Sequence, residues 1–546
     1  MDVHEPKKFE RLLSVWIRTT WITVTDMSSV KSLRMANLLL PLHLQLQQHW
    51  REALAQSNRP PAEAPIPLHA DYPALPPAKR ASALMFRSFW KAFRALWCPE
   101  PTPGVEEVKS TPVSSSVAAS TNEQPPFTIA IIGAGIGGLT FAIGCLQNNV
   151  PYVLYESAGK YSTVGAGVGL GPNALRAMDM IHPKLRGMYD SISSGNLTPG
   201  KDHVMMDAMY AEPGFGEKRG WKPASFGAAC YERTSAHRKD LLDILTSMIP
   251  RDTVRFNKRV KNLEQKEDRV VITFEDGEVA EATAVVGCDG VKGPTRGFVL
   301  GEKYPSEVAA TYSGKYVYRS IVPMKDALEF LGPENAGDSK ALIGYKHKFI
   351  TFPISRGTQY NMVAFKYTDK PWTHHQWTKM VTKEEMLNDF AGEVDPRILQ
   401  ALSYAEPRQW ALFHHMNTPV YYNNRICLLG DSAHATTPHQ ASGAGQCIED
   451  SLVLSHLLGK IKDPRDLPAA FEVYDSIRRP RAQKVVKTSQ ECGQMYGMIH
   501  PEFGDDMVKI SENLNQRFLW IWEHDLEKDL KTADEKLTKL LSKGGK

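Results

Sequence analysis

The sequence predicts an α/β fold built on a parallel sheet, and three observations support this prediction. The run 127–132 is short and almost wholly apolar, as strands buried on both faces are. It leads directly into a glycine-rich turn, 133–138, and a helical stretch, 139–148, follows. A second strand-like run, 152–155, completes a strand–helix–strand unit. Two parallel strands joined by a helix are the expected result.

Length and composition indicate a folded protein of two or three domains. The chain has 546 residues, of which 42% are hydrophobic and 23% charged. Its formal net charge of +4 argues against a nucleic-acid partner, which would favour a large basic face. No apolar stretch approaches the roughly 18–20 residues of a membrane span. Seven scattered cysteines without a CxxC pair indicate a reducing compartment, so we expect a cytoplasmic protein.

Residues 1–126 differ from the rest of the chain and are predicted to form an extension and linker, largely outside the catalytic fold. Prolines crowd the stretch 60–77, and 99–126 has the composition of a linker. Between them, 84–97 places aromatic residues at helical spacing, with basic residues on another face. Such a helix suits a peripheral membrane or partner contact. Packing on the main domain, or an imperfect gene model, is the simpler interpretation.

The glycine-rich turn is predicted to bind the diphosphate of a dinucleotide. Its three motif glycines, Gly133, Gly135 and Gly138, have separate roles: a tight turn, close approach of the diphosphate, and close packing of helix on strand. The helix that follows offers free N–H groups and the positive end of its dipole. Glu156 ends the second strand, where its carboxylate can accept hydrogen bonds from a ribose hydroxyl.

A distant segment, 425–450, favours FAD over NAD. It has the pattern of a buried strand, an acidic turn at Asp431, a loop with proline and glycine, and a helix that begins near Gly443. Asp431 at a strand end can accept hydrogen bonds from a polyol. Gly443 and Ala444 leave room for a flat ring to approach the N–H groups of the helix start.

With these motifs the chain resembles the class A flavoprotein monooxygenases, the para-hydroxybenzoate hydroxylase superfamily, and most of all its salicylate hydroxylase-like branch. The resemblance runs from about Phe127 to about Ala533. It implies a Rossmann-like FAD-binding domain interleaved with a β-sheet substrate domain, and a helical C-terminal region. The implied segments are 127–300 and 421–480 for the FAD-binding domain, 301–420 for the substrate sheet, and 481–546 for the C-terminal helices.

The resemblance also implies which residues contact the cofactor. Asp431 would hold the ribityl chain of FAD, while Gly443 and Ala444 would lie beside the isoalloxazine. Gly169 belongs to a segment similar to the family's second FAD loop, and Arg238 matches its basic turn as a flavin or phosphate contact.

A further family motif, 287–296, contains Asp289 and is linked to both FAD and NAD(P)H. Where the family usually has serine, this chain has Gly293, which argues against a role for a hydroxyl there. The adjacent histidine pairs 374–375 and 414–415 lack the spacing of a metal site, so no metal is expected.

The chemistry implied by the resemblance is monooxygenation. NAD(P)H reduces FAD, O2 then forms a flavin C4a-hydroperoxide, and a hydroxyl is transferred to an electron-rich aromatic carbon. The implied substrate is a small phenolic or aromatic carboxylic compound, either of the salicylate type or a phenolic secondary metabolite. Oxidative decarboxylation accompanies hydroxylation in one version.

Arg319 is the predicted catalytic residue, because a guanidinium there can hold a carboxylate or phenolate by paired hydrogen bonds. Pairing of Arg319 with a structural acid is the competing interpretation. Relatives often have histidine where this chain has Lys348, and some dearomatising relatives have tyrosine where it has Phe352. His347 would point to the opposite face of its strand. His439 is equally compatible with a flavin or substrate contact and with a stabilising role in its loop.

Two other functions stay open at this point. One is an FAD-dependent epoxidase or oxidoreductase that acts on a non-aromatic metabolite. The other is a membrane- or partner-docked flavoprotein-like module that uses 84–97. The sequence leaves the choice of NADH or NADPH and the oligomeric state undetermined.

Overall fold

A six-stranded sheet contains the strand that leads into the glycine-rich turn. The computed structural model describes residues 126–161 and 167–544, so the predicted segment 84–97 lies outside the described residues. In spatial order the strands are β18 (Tyr422–Asn423), β19 (Ile426–Leu428), β11 (Ala284–Gly287), β1 (Ile129–Ile132), β2 (Tyr152–Tyr155) and β7 (Val254–Arg255). All neighbours pair in parallel except β18 and β19. Every residue of β1 is buried, as the apolar run predicts.

An eight-stranded sheet forms the second large layer. Its order is β16 (Thr378–Met380), β17 (Arg408–His414), β12 (Thr311–Pro323), β15 (Gln359–Tyr367), β14 (His347–Ile354), β13 (Lys340–Gly344), β4 (Val204–Tyr210) and β5 (Ala224–Gly227). The pairing is antiparallel except between β13 and β4. The strands β4 and β5 precede residue 301, so the sheet draws on more of the chain than 301–420. The predicted segment boundaries stay predictions.

Two small sheets and a set of helices complete the described chain. Antiparallel β3 (Gly167–Gly169) and β6 (Ser235–His237) form one sheet, and β8 (Val260–Gln265), β9 (Val270–Phe274) and β10 (Val279–Ala282) form the other. The α-helices are α1 (Ile136–Gln147), α2 (Pro172–Ile181), α3 (Leu185–Asp190), α4 (Arg238–Ser247), α5 (Thr295–Leu300), α6 (Met324–Leu331), α7 (Pro333–Ala336), α8 (Lys383–Asn388), α9 (Pro396–Leu402), α10 (Asp431–His434), α11 (Gly443–Leu458), α12 (Leu467–Tyr496), α13 (Met507–Arg517), α14 (Leu519–Trp522) and α15 (Leu526–Gly544). Short 3₁₀ turns lie at Glu217–Arg219, Arg251–Thr253, Pro305–Glu307, Pro438–Gln440 and Pro464–Asp466. Within 126–161 and 167–544, no helix is long and apolar enough to cross a membrane.

The long helix α12 links the two large layers. Near its start, Tyr474 belongs to the core around the parallel sheet, and near its end Tyr496 belongs to a core on one face of the eight-stranded sheet. The other face of that sheet has its own core, which includes Tyr318 and Phe349. Alternate residues of each strand therefore face different cores. The predicted α/β architecture, with a second β-sheet layer and a helical C-terminal region, is confirmed.

A buried network of charges fixes the loop between β19 and α10. Glu449 and Asp450 are adjacent in α11, and both are fully buried. Arg478 donates from Nη1 to Glu449 Oε2 at 2.6 Å and from Nε to Asp450 Oδ1 at 2.8 Å. Arg481 donates from Nε to Glu449 Oε2 at 2.7 Å. Asp450 Oδ2 accepts from the N–H of Gly430 at 3.1 Å, which ties the loop to α11 and α12.

The network keeps its carboxylates ionised although they are out of water. Burial disfavours the charged form of Glu449, but the guanidinium groups of Arg478 and Arg481 outweigh this effect and lower its pKa to about 2. Two carboxylates therefore face two guanidinium groups, and Oδ2 of Asp450 also lies 2.5 Å from Nε2 of His434. A paired, fully hydrogen-bonded set is the form in which buried charges are tolerated.

Removing one guanidinium should destabilise the protein strongly. We expect Arg478→Met to lower the free energy of unfolding by about 3–5 kcal/mol, because two carboxylates stay buried with less compensation. Arg479→Met is the matched control, since the partly exposed pair of Arg479 with Asp475 contributes less than about 1 kcal/mol. Urea unfolding of both variants measures the difference. An equal loss of unfolding free energy in the two variants would contradict the role assigned to the network.

Candidate active site and cofactor cleft

The three glycines of the first turn have different surroundings. Gly133 has a φ of +103°, and a Cβ there would lie 2.6 Å from the carbonyl oxygen of Cys288. A Cβ at Gly138 would lie 1.9 Å from the carbonyl oxygen of Gly133. A Cβ at Gly135 would have no neighbouring described atom within 4 Å, so the backbone faces open space there. This is the arrangement that the separate roles of a tight turn, close packing and diphosphate approach require.

Glu156 lies beside the glycine-rich turn. It follows β2, and its Oε2 accepts from the N–H of Ala134 at 2.8 Å. Its Oε1 accepts from the N–H of Ala158, also at 2.8 Å. The carboxylate is therefore held against the glycine turn, and its remaining lone pairs are available to a ribose hydroxyl.

Three of the predicted residues come together around Arg238 although they belong to separate elements. Asp431 begins α10, Arg238 begins α4, and Arg319 lies in β12. Surrounding protein desolvates the Asp431 carboxylate and raises its pKa, while the charges of His434 and Arg238 oppose that shift. Burial lowers the pKa of Arg319, and the nearby charge of Arg238 lowers it further. Arg238 thus lies within electrostatic range of both the predicted ribityl contact and the predicted catalytic residue.

Asp289 is turned into the protein, and Gly293 makes this possible. Its Oδ2 accepts from the N–H of Thr295 at 2.9 Å and from the hydroxyl of the same residue. A Cβ at Gly293 would lie 1.9 Å from Asp289 Cγ. The serine that is usual in the family therefore does not fit here beside this Asp289 conformation. The Oδ1 of Asp289 is buried and has no hydrogen-bond partner among the described residues.

Arg233 is a candidate functional residue that the sequence motifs did not reveal. It is 5% exposed, and its Nε and Nη2 have no hydrogen-bond partner in the described part of the chain. Its Nη1 donates weakly to Tyr231 Oη at 3.3 Å and lies 3.8 Å from a Cβ built at Gly169. A small cavity here also reaches Ser442 and Gly445, at the start of α11. Gly443 and Ala444 form the first turn of that helix.

One face of the eight-stranded sheet carries basic side chains that have no carboxylate partner among the described residues. Lys315 and Arg319 lie in β12, Lys348 lies in β14, and His439 packs on the same face from its loop. Burial lowers the pKa of Lys315 to about 8 and that of Lys348 to about 7. Burial also holds the pKa of His439 well below its usual range. No described carboxylate pairs with the two lysines or with Arg319, which excludes a structural acid as the partner of Arg319 within these residues.

The neighbouring side chains confirm the predicted strand faces. His347 points to the other side of the sheet, where its ring lies 6.0 Å from Phe349 and 6.3 Å from Phe390. Phe352 shares the face of Lys348, and its ring lies 5.0 Å from the guanidinium carbon of Arg233.

These residues fit FAD. The open backbone at Gly135 accommodates a diphosphate, and the buried Oδ1 of Asp289 is an acceptor that lacks a donor. The unpaired nitrogens of Arg233 are donors that lack an acceptor, next to the free N–H groups at the start of α11. A dinucleotide that carries a ring with carbonyl oxygens supplies both kinds of partner.

A family model described as "FAD binding domain" matches residues 127–489. The chain belongs to this family of FAD-dependent monooxygenases. It is 39% identical to an FAD-dependent monooxygenase of Gibberella moniliformis, over 76% of this chain and 97% of the relative. It is 36% identical to 6-methylsalicylate 1-monooxygenase of Aspergillus terreus, over 74% of this chain and 91% of the relative.

Among solved structures, a salicylate hydroxylase substrate complex matches with a TM-score of 0.66 and 28% identity. The match covers 75% of this chain and 98% of that one. The predicted resemblance to the salicylate hydroxylase-like branch is therefore confirmed, and FAD is the cofactor of this monooxygenase. The individual contacts assigned above to FAD stay predictions.

Two glycine substitutions separate cofactor binding from folding in this monooxygenase. Gly135→Ala should leave the Tm of the apoprotein unchanged, because no described atom lies near the added methyl group, and should raise the Kd for FAD at least tenfold (about 1.4 kcal/mol). Gly138→Ala should lower the Tm of the apoprotein, because its methyl group meets the Gly133 carbonyl. Thermal unfolding and flavin fluorescence titration measure the two effects. Unchanged FAD affinity in Gly135→Ala would exclude the diphosphate role.

Proposed function

We propose that this monooxygenase hydroxylates a small phenolic or aromatic carboxylic substrate of the salicylate type, with NAD(P)H and O2. The observation that carries the proposal is that Lys315, Arg319 and Lys348 lie on one sheet face with no carboxylate partner among the described residues. The chemistry that bound FAD would supply is acceptance of a hydride from NAD(P)H and activation of O2 for transfer of one oxygen atom. The similarity to 6-methylsalicylate 1-monooxygenase and to the salicylate hydroxylase complex supports the same substrate class.

An anionic ligand would restore the charge balance of this face. An unpaired buried cation is costly, and a carboxylate or phenolate on the substrate would supply the missing partner. Arg319 is suited to this role because its guanidinium carbon lies 4.6 Å from the centre of the Trp410 ring, which restricts its orientation. A planar guanidinium held in this way can donate two parallel hydrogen bonds to a carboxylate.

The same residues would favour the reaction as well as binding. A phenolate is more electron-rich than a phenol, and positive charge beside the oxygen stabilises it. Val317, Ile350 and Phe352 make the rest of this face apolar, so a bound aromatic ring would displace water from it. Excluding water strengthens the electrostatic attraction between Arg319 and an oxyanion.

Substrate-stimulated turnover tests the proposal. We expect salicylate, 6-methylsalicylate or a simple phenol to stimulate NADH or NADPH oxidation by the full-length protein, with matching O2 uptake. Product mass then separates hydroxylation from hydroxylation with loss of CO2. Bound flavin together with no response to any of these compounds would contradict the proposal and favour an epoxidase or oxidoreductase that acts on a non-aromatic metabolite.

Removing the guanidinium of Arg319 should weaken substrate binding without loss of FAD. We expect Arg319→Met to raise the Kd of salicylate about 10- to 100-fold, because a charge-assisted hydrogen-bonded pair contributes about 1.5–3 kcal/mol. Arg408→Met is the control, since Arg408 lies against the same Trp410 ring but donates to Glu406. Titration of each variant with salicylate, followed by flavin absorbance, gives the two Kd values. Equal effects of the two substitutions would assign the loss to the tryptophan contact instead of the charge.

A further inference from the structure

The most unusual group on the cationic face is the amino group of Lys348. The side chain is fully buried, and its Nζ has no hydrogen-bond partner among the described residues. It lies 3.8 Å from the centre of the Tyr496 ring and 4.5 Å from that of Phe365. A lysine amino group has three possible donor positions, and burying one without an acceptor is costly.

The described ionisable groups that face Lys348 come from three directions, and none of them is a carboxylate. They are Lys315 on β12, Cys492 and Tyr496 on α12, and His439 on the loop before α11. Burial lowers the pKa of Lys348 to about 7, Cys492 opposes this shift, and Lys315 adds to it. At neutral pH a large share of the amino groups therefore carries a free lone pair.

We propose that Lys348 accepts the proton of the substrate's phenolic hydroxyl. This inference rests on the proposed function. In the step, the phenolic O–H bond breaks and a new N–H bond forms at Nζ, while the electron pair stays on the oxygen. The product is a phenolate beside an ammonium group, so charge is conserved and the new cation gains the acceptor that Lys348 lacks. The phenolate then directs electron density into the ring that is to be hydroxylated.

The other candidates on this face are less suited to accept the proton. The Nζ of Lys315 already donates to the carbonyl oxygen of Ser313 at 3.2 Å. The ring of His439 lies against Phe365, and a Cβ at Gly493 would lie 2.4 Å from it, so it is tightly packed. Phe352 has no hydroxyl group to share in the transfer.

The direction of the pH dependence follows from the lowered pKa. Below pH 7 the amino group of Lys348 is protonated and cannot accept a proton, whereas above it the lone pair is available. We therefore expect kcat/KM for a phenolic substrate to fall as the pH drops below about 7.

The test compares FAD-loaded wild type with Lys348→Met, Lys348→His and the control Lys379→Met, whose lysine is exposed on edge strand β16. The probe is 6-methylsalicylate, and the readout without turnover is the ultraviolet absorbance of its phenolate on binding. Wild type and control should show phenolate that increases as the pH passes 7. Lys348→Met should bind the probe as the phenol and lose about 10²- to 10⁴-fold in kcat. Lys348→His should regain part of the phenolate absorbance and part of kcat, and the midpoint of its pH dependence should differ from that of wild type.

The outcomes separate this inference from the proposed function. If Lys348→Met gives the same phenolate absorbance and the same pH profile as wild type, Lys348 is not the proton acceptor, while the function stands. If wild type binds no aromatic probe at all, the proposed function fails and the role of Lys348 fails with it. Flavin absorbance of each variant confirms folding. If Lys348→Met does not retain FAD, the pH midpoint of Lys348→His decides whether Lys348 is the proton acceptor: a shifted midpoint supports the role, and an unchanged midpoint contradicts it.

Discussion

The cofactor cleft depends on one buried interaction, the contact of Glu449 and Asp450 with the arginines of α12. These two acids lie in the helix whose first turn faces the predicted isoalloxazine site, and Asp450 also holds the N–H of Gly430. The network therefore sets the position of the helix start relative to the turn that carries Asp431. Because α12 continues to the eight-stranded sheet, the same interaction connects the core around the parallel sheet with the second layer.

Two kinds of buried charge lie close together in this protein and behave differently. In the network each carboxylate has a guanidinium partner, so the pKa of Glu449 is lowered to about 2 and its carboxylate stays ionised at neutral pH. On the sheet face Lys348 has no carboxylate or hydrogen-bond partner among the described residues, and burial lowers its pKa to about 7. The first arrangement is complete within the chain, whereas the second has no described acid to complete it. This contrast distinguishes a structural cluster from a candidate binding site.

The glycine turn and the faces of the strands could be predicted from the sequence because they depend on local pattern. A Cβ at Gly138 would meet the Gly133 carbonyl within the same turn, and alternation along β14 was enough to place His347 away from the site. The family resemblance supplied Asp431 and Arg319. Arg233 was missed because its approach to Gly169 depends on the pairing of β3 with β6, which no local signal reveals. The burial of Lys348 likewise results from the packing of α12 on the sheet.

The central claim is that this sheet face recognises an aromatic oxyanion. The most direct test is the affinity of the FAD-loaded protein for salicylate compared with salicylamide, its neutral analogue of nearly the same shape, measured by the change in flavin absorbance. The account predicts that salicylate binds at least about tenfold more tightly, a difference of about 1.4 kcal/mol. Equal affinities would contradict it, because a face with Lys315 and Arg319 and no described carboxylate partner for either would then not distinguish an anion from a neutral ligand.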